Sequence, residues 1–98
     1  MAIKVLIKRK YPKEKEAELI RYIREIRERV PKQAGYISGE YLKSIDGTNE
    51  ITTVSSWFSL EDWHTWYESK ERKKIQAKID AVAGVTSEHT IYRYIKTV

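Results

Sequence analysis

Cysteine is absent from the 98 residues of this chain, which excludes disulfide bonds and thiol chemistry. The sequence contains no apolar run of about 18 residues, the length that a membrane-spanning helix needs. The apolar part of the N-terminal stretch is interrupted by Lys4 and is too short for a signal peptide. We therefore expect a cytoplasmic protein that does not enter a membrane.

The usual motifs for phosphate binding, nucleophilic catalysis and metal ligation are also missing. No P-loop, G-x-G-x-x-G or G-x-S-x-G pattern occurs, and the four glycines are too sparse to form a phosphate-binding loop. The two histidines, His64 and His89, lie far apart and do not form a helical H-x-x-x-H pair. We therefore expect no metal site.

The charge of the chain is balanced along its length rather than concentrated. The net charge is +5, but the 19 basic and 14 acidic residues are interleaved. A basic patch could attract nucleic acid or an anionic substrate. Interleaved charges are more typical of a solvated surface, and that interpretation is favoured here.

Apolar periodicity predicts regular elements in the order β-α-β-β-α-β. The predicted strands are residues 2–10, 36–45, 50–58 and 88–96, and the predicted helices are residues 13–30 and 59–83. Ser59 is expected to cap the second helix and Ser69 to break it. This order indicates one α+β domain over residues 1–98, with a ferredoxin-like antiparallel sheet of four strands and the helices on one face.

Alternation along the predicted strands places apolar residues on both faces of the sheet. One face carries Ile3, Val5, Ile7, Ile37, Tyr41, Ile51, Trp57, Ile91 and Ile95, and the other carries Leu6, Leu42, Val54, Phe58, Tyr92 and Tyr94. Only one face can lie under the helices. The second face would be an exposed apolar patch, so we predict a homodimer joined sheet to sheet.

The RNA recognition motif has the same order of elements and is therefore an alternative. Its third strand carries stacking aromatic residues in a defined pattern. The corresponding strand here reads I-T-T-V-S-S-W-F, and the first strand has no aromatic residue. We therefore expect no nucleic acid partner.

Aromatic residues are concentrated in the stretch 55–67. It contains all three tryptophans, Trp57, Trp63 and Trp66, with the only phenylalanine and His64. Aromatic rings at a junction between strand and helix can line a ligand pocket, or they can pack an ordinary core. Core packing is the more common outcome, and the sequence leaves both open.

Three motifs give the chain a resemblance to a known family. They are G-Y-I-S-G-E-Y at 35–41, S-x-W-x-S-L-E-D-W at 55–63 and S-x-E-R-x-x-I-Q-A at 69–77. The chain resembles the antibiotic biosynthesis monooxygenase domain. The resemblance implies a dimeric α/β barrel with a pocket between the sheet and the helices of each subunit. Some members of that family oxidise aromatic polyketides or quinols with O2 and use no metal, flavin or haem, and another branch degrades haem.

The resemblance also implies roles for individual residues. Trp57 matches a pocket tryptophan whose indole N–H is available to an oxygen atom of substrate or peroxide. Tyr41 matches a pocket tyrosine, and Trp63 stands where the oxidases have a further tyrosine. Trp66 matches the helical tryptophan of the haem-degrading branch.

Other positions depart from the family pattern. The third-strand asparagine of the polyketide oxidases is Thr53 in this chain. The second helix has Gln76 where those enzymes have arginine and where the haem branch has its haem-ligating histidine. The first-strand asparagine of the haem branch is replaced by Ile7. Haem degradation is therefore disfavoured. Gln76 also carries no charge to stabilise an anionic substrate, and Arg93 on the last strand is the residue that could reach the pocket instead.

Two hypotheses follow. The first is a homodimeric, cofactor-free oxygenase acting on a small aromatic phenol or quinol. It would stack the substrate on the tryptophans and orient its oxygens with Tyr41, Thr53 and Gln76, and His64 would be the base. The second is a non-catalytic dimer that binds a small aromatic molecule or whose aromatic residues only pack the core.

Overall fold

The computed structural model describes residues 2–96, and its elements follow the predicted order. The strands are β1 (Ile3–Lys10), β2 (Tyr36–Lys43), β3 (Glu50–Trp57) and β4 (Thr86–Arg93), and the helices are α1 (Glu16–Arg29), α2 (Leu60–Tyr67) and α3 (Lys70–Asp80). Short 3₁₀ turns at Lys13–Lys15 and Val30–Lys32 flank α1. The predicted second helix is therefore two helices that meet at Ser69.

The four strands form one antiparallel sheet in the order β2-β3-β1-β4. Val5 at the centre of β1 faces Ser55 on one side and Ile91 on the other. The helices cover one face of this sheet, which confirms the ferredoxin-like α+β fold. The sheet of a single chain is open rather than closed into a barrel.

Several predicted boundaries were wrong. Strand β2 ends at Lys43 rather than at residue 45, and α3 ends at Asp80 rather than at residue 83. The first helix begins at Glu16 rather than at residue 13, because the chain leaves Pro12 through a 3₁₀ turn. Its end at Arg29 agrees with the prediction that Pro31 closes it. The last strand runs over Thr86–Arg93 rather than 88–96, and it follows the register of β1.

Two serine caps fix the corner between β3, α2 and α3, as predicted. The Ser59 hydroxyl accepts a hydrogen bond from the Asp62 amide at 3.2 Å, and the Ser69 hydroxyl accepts one from the Arg72 amide at 3.1 Å. These bonds satisfy amides that a helix start leaves free. As a result, Arg72 lies in the first turn of α3.

The core lies between the sheet and the helices. Leu19 and Ile23 from α1 and Ile75 and Ile79 from α3 pack against Val5 of β1. Their spacing of three and four residues places them on one stripe of each helix. The opposite helical faces are charged, so burial of these stripes orients both helices on the sheet.

Strand β2 contains an irregularity that reverses one prediction. Its pairing with β3 shifts between Tyr36 and Ser38, so Tyr36 rather than Ile37 lies on the covered face. Ile37 is 55% exposed, so its predicted place on the same face as Tyr41 and Trp57 was wrong. Gly39 was expected to mark a bulge or a close approach, and the Tyr36 hydroxyl does lie where a Cβ of residue 39 would be.

The uncovered face of the sheet carries apolar side chains as predicted. Leu42 and Tyr92 are each 50% exposed, and Leu6 and Val54 lie between them on the two central strands. Phe58, just beyond β3, is also exposed. Exposed apolar residues that cluster on a sheet face often mark a contact surface.

Candidate functional site

The covered face of the sheet encloses a small cavity next to the predicted aromatic residues. Tyr36, Tyr41 and the three tryptophans line it, together with residues from β1, α1 and α3. Its volume is about 30 Å³. That is room for roughly two water-sized groups and excludes an aromatic ring.

The three tryptophans are core residues. Trp57, Trp63 and Trp66 are 1%, 2% and 4% exposed and belong to the same apolar cluster. Tyr36 packs edge-on against Trp57 with ring centroids 5.4 Å apart. The sequence suggested that a substrate stacks between these rings, but in this arrangement the rings are packed against core residues and leave no space for one.

Two arginines that the sequence analysis did not select line the same cavity. Arg9 of β1 is 2% exposed and Arg72 of α3 is 6% exposed. Burial, followed by the nearby Arg72, lowers the pKa of Arg9 to about 10. Alternation in β1 places Arg9 on the covered face with Ile7, and that signal in the sequence could have identified it.

Gln76 links the buried Arg9 to the exposed Asp80 through two hydrogen bonds. The Arg9 guanidinium donates a hydrogen bond of 3.0 Å to Gln76 Oε1, and Gln76 Nε2 donates one of 2.8 Å to Asp80. Both the oxygen and the nitrogen of the amide are thereby hydrogen-bonded. Gln76 lines the groove described below rather than the cavity, so it holds Arg9 in place.

The polar atoms of the cavity differ in whether they have a hydrogen-bond partner. Arg9 Nε and Thr53 Oγ1 are buried and have no hydrogen-bond partner among residues 2–96. Trp57 Nε1 donates a hydrogen bond of 3.0 Å to Ser55 Oγ. Unpartnered buried polar atoms are costly, so the cavity is suited to a polar guest that supplies partners.

The environment of Tyr41 shows how strongly the cavity disfavours an isolated negative charge. Burial, followed by Tyr36, raises the pKa of Tyr41 to about 12 although Arg9 and Arg27 act in the opposite direction. The Arg27 guanidinium carbon lies 5.8 Å from the Tyr41 ring centroid. Tyr41 is therefore a neutral hydrogen-bonding group at neutral pH.

A groove of about 200 Å³ lies beside the cavity, between β1, β4 and α3. Ile7 and Arg72 line both spaces, and Tyr67 and His89 border the groove. The Arg72 guanidinium carbon lies 4.4 Å above the Tyr67 ring, and the Tyr67 and His89 rings are 5.1 Å apart. Since roughly 150 Å³ accommodates benzene, a single aromatic ring fits this groove.

Two predicted site residues, His64 and Arg93, lie away from both the cavity and the groove. His64 is exposed on α2, where its ring contacts Trp63 at 5.3 Å. Arg93 lies at the exposed end of β4 in a shallow depression with Ile3 and Leu60. The structure therefore brings together Tyr41, Thr53 and the tryptophans, and leaves His64 and Arg93 outside.

Residues 2–96 offer neither a metal-binding cluster nor a membrane-spanning helix. Within that range, no three His, Asp or Glu side chains are grouped so that they could hold a metal ion. None of the helices in the same range is both long and apolar enough to cross a bilayer.

Comparison with known proteins identifies the family. The family model described as "Antibiotic biosynthesis monooxygenase" matches residues 2–78, which is more than half of the chain. A search of curated proteins finds no match.

Solved structures share the fold at low sequence identity. A conserved protein from Methanosarcina mazei is 21% identical with a TM-score of 0.83, covering 95% of this chain and 92% of that one. A protein from Mycobacterium tuberculosis is 12% identical with a TM-score of 0.88, covering 99% and 98%. SnoaB, a cofactor-independent oxygenase from Streptomyces nogalater, is 16% identical with a TM-score of 0.74, covering 99% and 96%.

Proposed function

Because the chain belongs to the antibiotic biosynthesis monooxygenase family, we propose that it is a cofactor-free monooxygenase acting on a small aromatic phenol or quinol with O2. The observation that carries this proposal is that a groove large enough for an aromatic ring lies beside a polar cavity, and that Arg72 lines both. The ring of the substrate lies in the groove, and an oxygen-bearing end enters the cavity.

The reaction needs no external reductant. The substrate loses a proton and passes electrons to O2, and one oxygen atom forms a bond to the ring carbon. The O–O bond then breaks, and the second oxygen atom leaves as water. A phenol and O2 thereby give a quinone and water, with all the electrons supplied by the substrate.

The cavity and the groove supply different groups for this reaction. Arg9, Arg72 and Thr53 offer hydrogen bonds to substrate oxygen atoms, which positions the ring. Trp57 adds its indole N–H when a substrate oxygen replaces the Ser55 hydroxyl as its acceptor. His89 is the imidazole that borders the groove, so it replaces His64 as the candidate base.

Oxygen consumption tests the proposed activity. Metal-stripped protein with a panel of anthrones, hydroquinones and catechols should consume O2 above the autoxidation rate of each compound. His89→Gln should lower this rate about 100-fold if His89 is the base. The matched control His64→Gln should leave it unchanged. Absence of protein-dependent uptake across the panel would contradict the proposed enzyme.

The alternative is a protein that binds a small aromatic ligand, or only packs its aromatic residues, without catalysis. The cavity volume of about 30 Å³ and the full burial of Trp57 favour this second candidate. A ligand-binding protein would show ligand-dependent quenching of tryptophan fluorescence, and a protein that only packs its aromatic residues would show no quenching. Neither would consume oxygen.

We also propose that two copies of the chain associate through the uncovered sheet face. The centre of that face is apolar, with Leu6, Val54 and Tyr92 on neighbouring strands. On the same face, Lys8 stands opposite Glu88 in the register of β1 and β4, so its charges are balanced within one chain. A second copy can therefore cover the apolar centre without strong repulsion.

Replacement of Val54 tests this association. Val54→Glu should convert a dimer to a monomer, because an unpaired carboxylate would be buried at the centre of the contact. Light scattering during gel filtration at micromolar concentration measures the mass. Ile45→Glu is the matched control, since Ile45 is fully exposed outside the strands. A wild-type monomer, or a Val54→Glu dimer, would refute the sheet-to-sheet contact.

A further inference from the structure

We propose that Arg9 and Arg72 form a carboxylate-binding subsite, so that the preferred ligand is a single-ring aromatic acid. This inference builds on the proposed function and specifies the substrate class. It assigns the polar end of the substrate to the cavity and its ring to the groove.

The first support is two buried cations that form no direct ion pair, although Asp80 attracts both from a longer distance. No carboxylate of residues 2–96 lies within ion-pair distance of either guanidinium. Arg9 is satisfied in part by the neutral amide of Gln76, and its Nε remains unpartnered. A buried charge is expensive unless it is paired. A bound oxyanion would supply the missing partner.

The second support is size. A volume of about 30 Å³ accommodates the two oxygens of a carboxylate but not a ring. The groove of about 200 Å³ accommodates one ring and shares Ile7 and Arg72 with the cavity. A benzoate-like molecule therefore matches the two neighbouring volumes, with its ring beside Tyr67 in the groove and its carboxylate in the cavity.

The third support distinguishes a carboxylate from a phenolate. Burial raises the pKa of the neighbouring Tyr41 phenol from its ordinary value to about 12, so ionisation of a phenol is costly at this place. A substrate phenol that entered the cavity would meet the same cost of ionisation. A carboxylate is already ionised at neutral pH, and the planar fork of an arginine matches its two oxygens.

Acidic side chains near the groove set the orientation of the ligand. Asp80 and Glu88 both line the groove, and Asp80 is engaged by Gln76. They disfavour an anion at that end and leave the cavity as the favourable place for the carboxylate. The ring hydroxyl then remains in the groove near His89.

Thermal unfolding tests the subsite without any catalysis. Sodium benzoate at saturating concentration should raise the Tm of the wild-type protein by at least about 5 °C relative to sodium chloride at equal ionic strength. Benzamide, which has the ring without the charge, and formate, which has the charge without the ring, should each give less than half of that shift. Formate as effective as benzoate would indicate a site for small free oxyanions and would overturn the aromatic acid.

Variants assign the effect to Arg9. Arg9→Met should abolish the benzoate shift while the ligand-free Tm stays equal or rises, because a buried unpaired charge is removed. Arg24→Met, which removes an exposed arginine of α1, should keep the full shift. A full shift in Arg9→Met, or equal shifts with benzoate and benzamide in the wild type, would overturn the proposal. The wild-type comparison needs no variant, so it decides even where Arg9→Met does not fold.

The two proposals fail separately. Benzoate has no ring hydroxyl and is not a substrate, so its binding is independent of oxygen uptake. Benzoate binding without uptake on any compound would remove the oxygenase and keep the subsite. Uptake with neutral quinols and no benzoate shift would keep the oxygenase and remove the subsite.

Discussion

Trp57→Phe should lower kcat/KM for oxygen uptake about 10- to 100-fold and leave the protein folded. Trp57 carries the indole N–H that the proposed function directs to a substrate oxygen, and a hydrogen bond to a charged group contributes roughly 1.5–3 kcal/mol. Phenylalanine keeps an aromatic ring against Tyr36 but has no donor. The measurement is oxygen uptake over a range of substrate concentrations.

A second variant separates the loss of the donor from the loss of packing. In the free protein, Trp57 Nε1 is hydrogen-bonded to Ser55 Oγ at 3.0 Å. Ser55→Ala removes that acceptor and keeps the indole, so its activity should equal or exceed that of the wild type. Unchanged turnover in Trp57→Phe would remove Trp57 from the mechanism. An equal loss in both variants would show that packing around the ring, not the N–H, is responsible.

Gly35→Ala should destabilise the protein by about 3 kcal/mol or more. Gly35 has a φ of +82°, a region that residues with a Cβ rarely adopt, and an added Cβ would overlap the Asp62 carboxylate. Asp62 lies in the first turn of α2, where its amide donates to Ser59. The variant therefore strains the backbone and displaces the start of α2 together.

Urea unfolding of matched variants measures this effect. Gly47 also has a positive φ, of +94°, but nothing lies within 4 Å of an added Cβ. Gly47→Ala should therefore cost only the conformational strain, about 1–2 kcal/mol. Equal free energies of unfolding for the two variants would show that the contact with Asp62 contributes nothing.

Gly35 also lies next to the candidate site, so the same substitution should affect the site as well as the stability of the fold. Its carbonyl accepts a hydrogen bond of 2.7 Å from the Phe58 amide, directly after Trp57 at the end of β3. The start of β2 is thereby fixed to the junction between β3 and α2. Disruption at this point should also lower substrate binding, because Trp57 and Trp63 lie on either side of the junction.

Local sequence determined the elements and much of the fold. Period-two alternation assigned the faces of β1 and β3, and helical periodicity assigned the buried stripes of α1 and α3, since burial selects one face of each element. Short-range hydrogen bonds at Ser59 and Ser69 were visible as capping patterns. The family motifs are also contiguous, which is why the resemblance was evident.

Only the tertiary structure decided the chemistry of the site. The hydrogen bond between Arg9 and Gln76 joins residues 67 positions apart, and no local pattern encodes such a meeting. The irregularity after Tyr36 places Tyr36 rather than Ile37 on the covered face of the sheet, because one extra residue in a strand reverses the alternation of its side chains. The size of the cavity depends on how closely the three tryptophans pack. Packing distances are set by all the elements together. The sequence therefore placed the aromatic residues near a pocket, and the fold decided that two buried arginines line it with them.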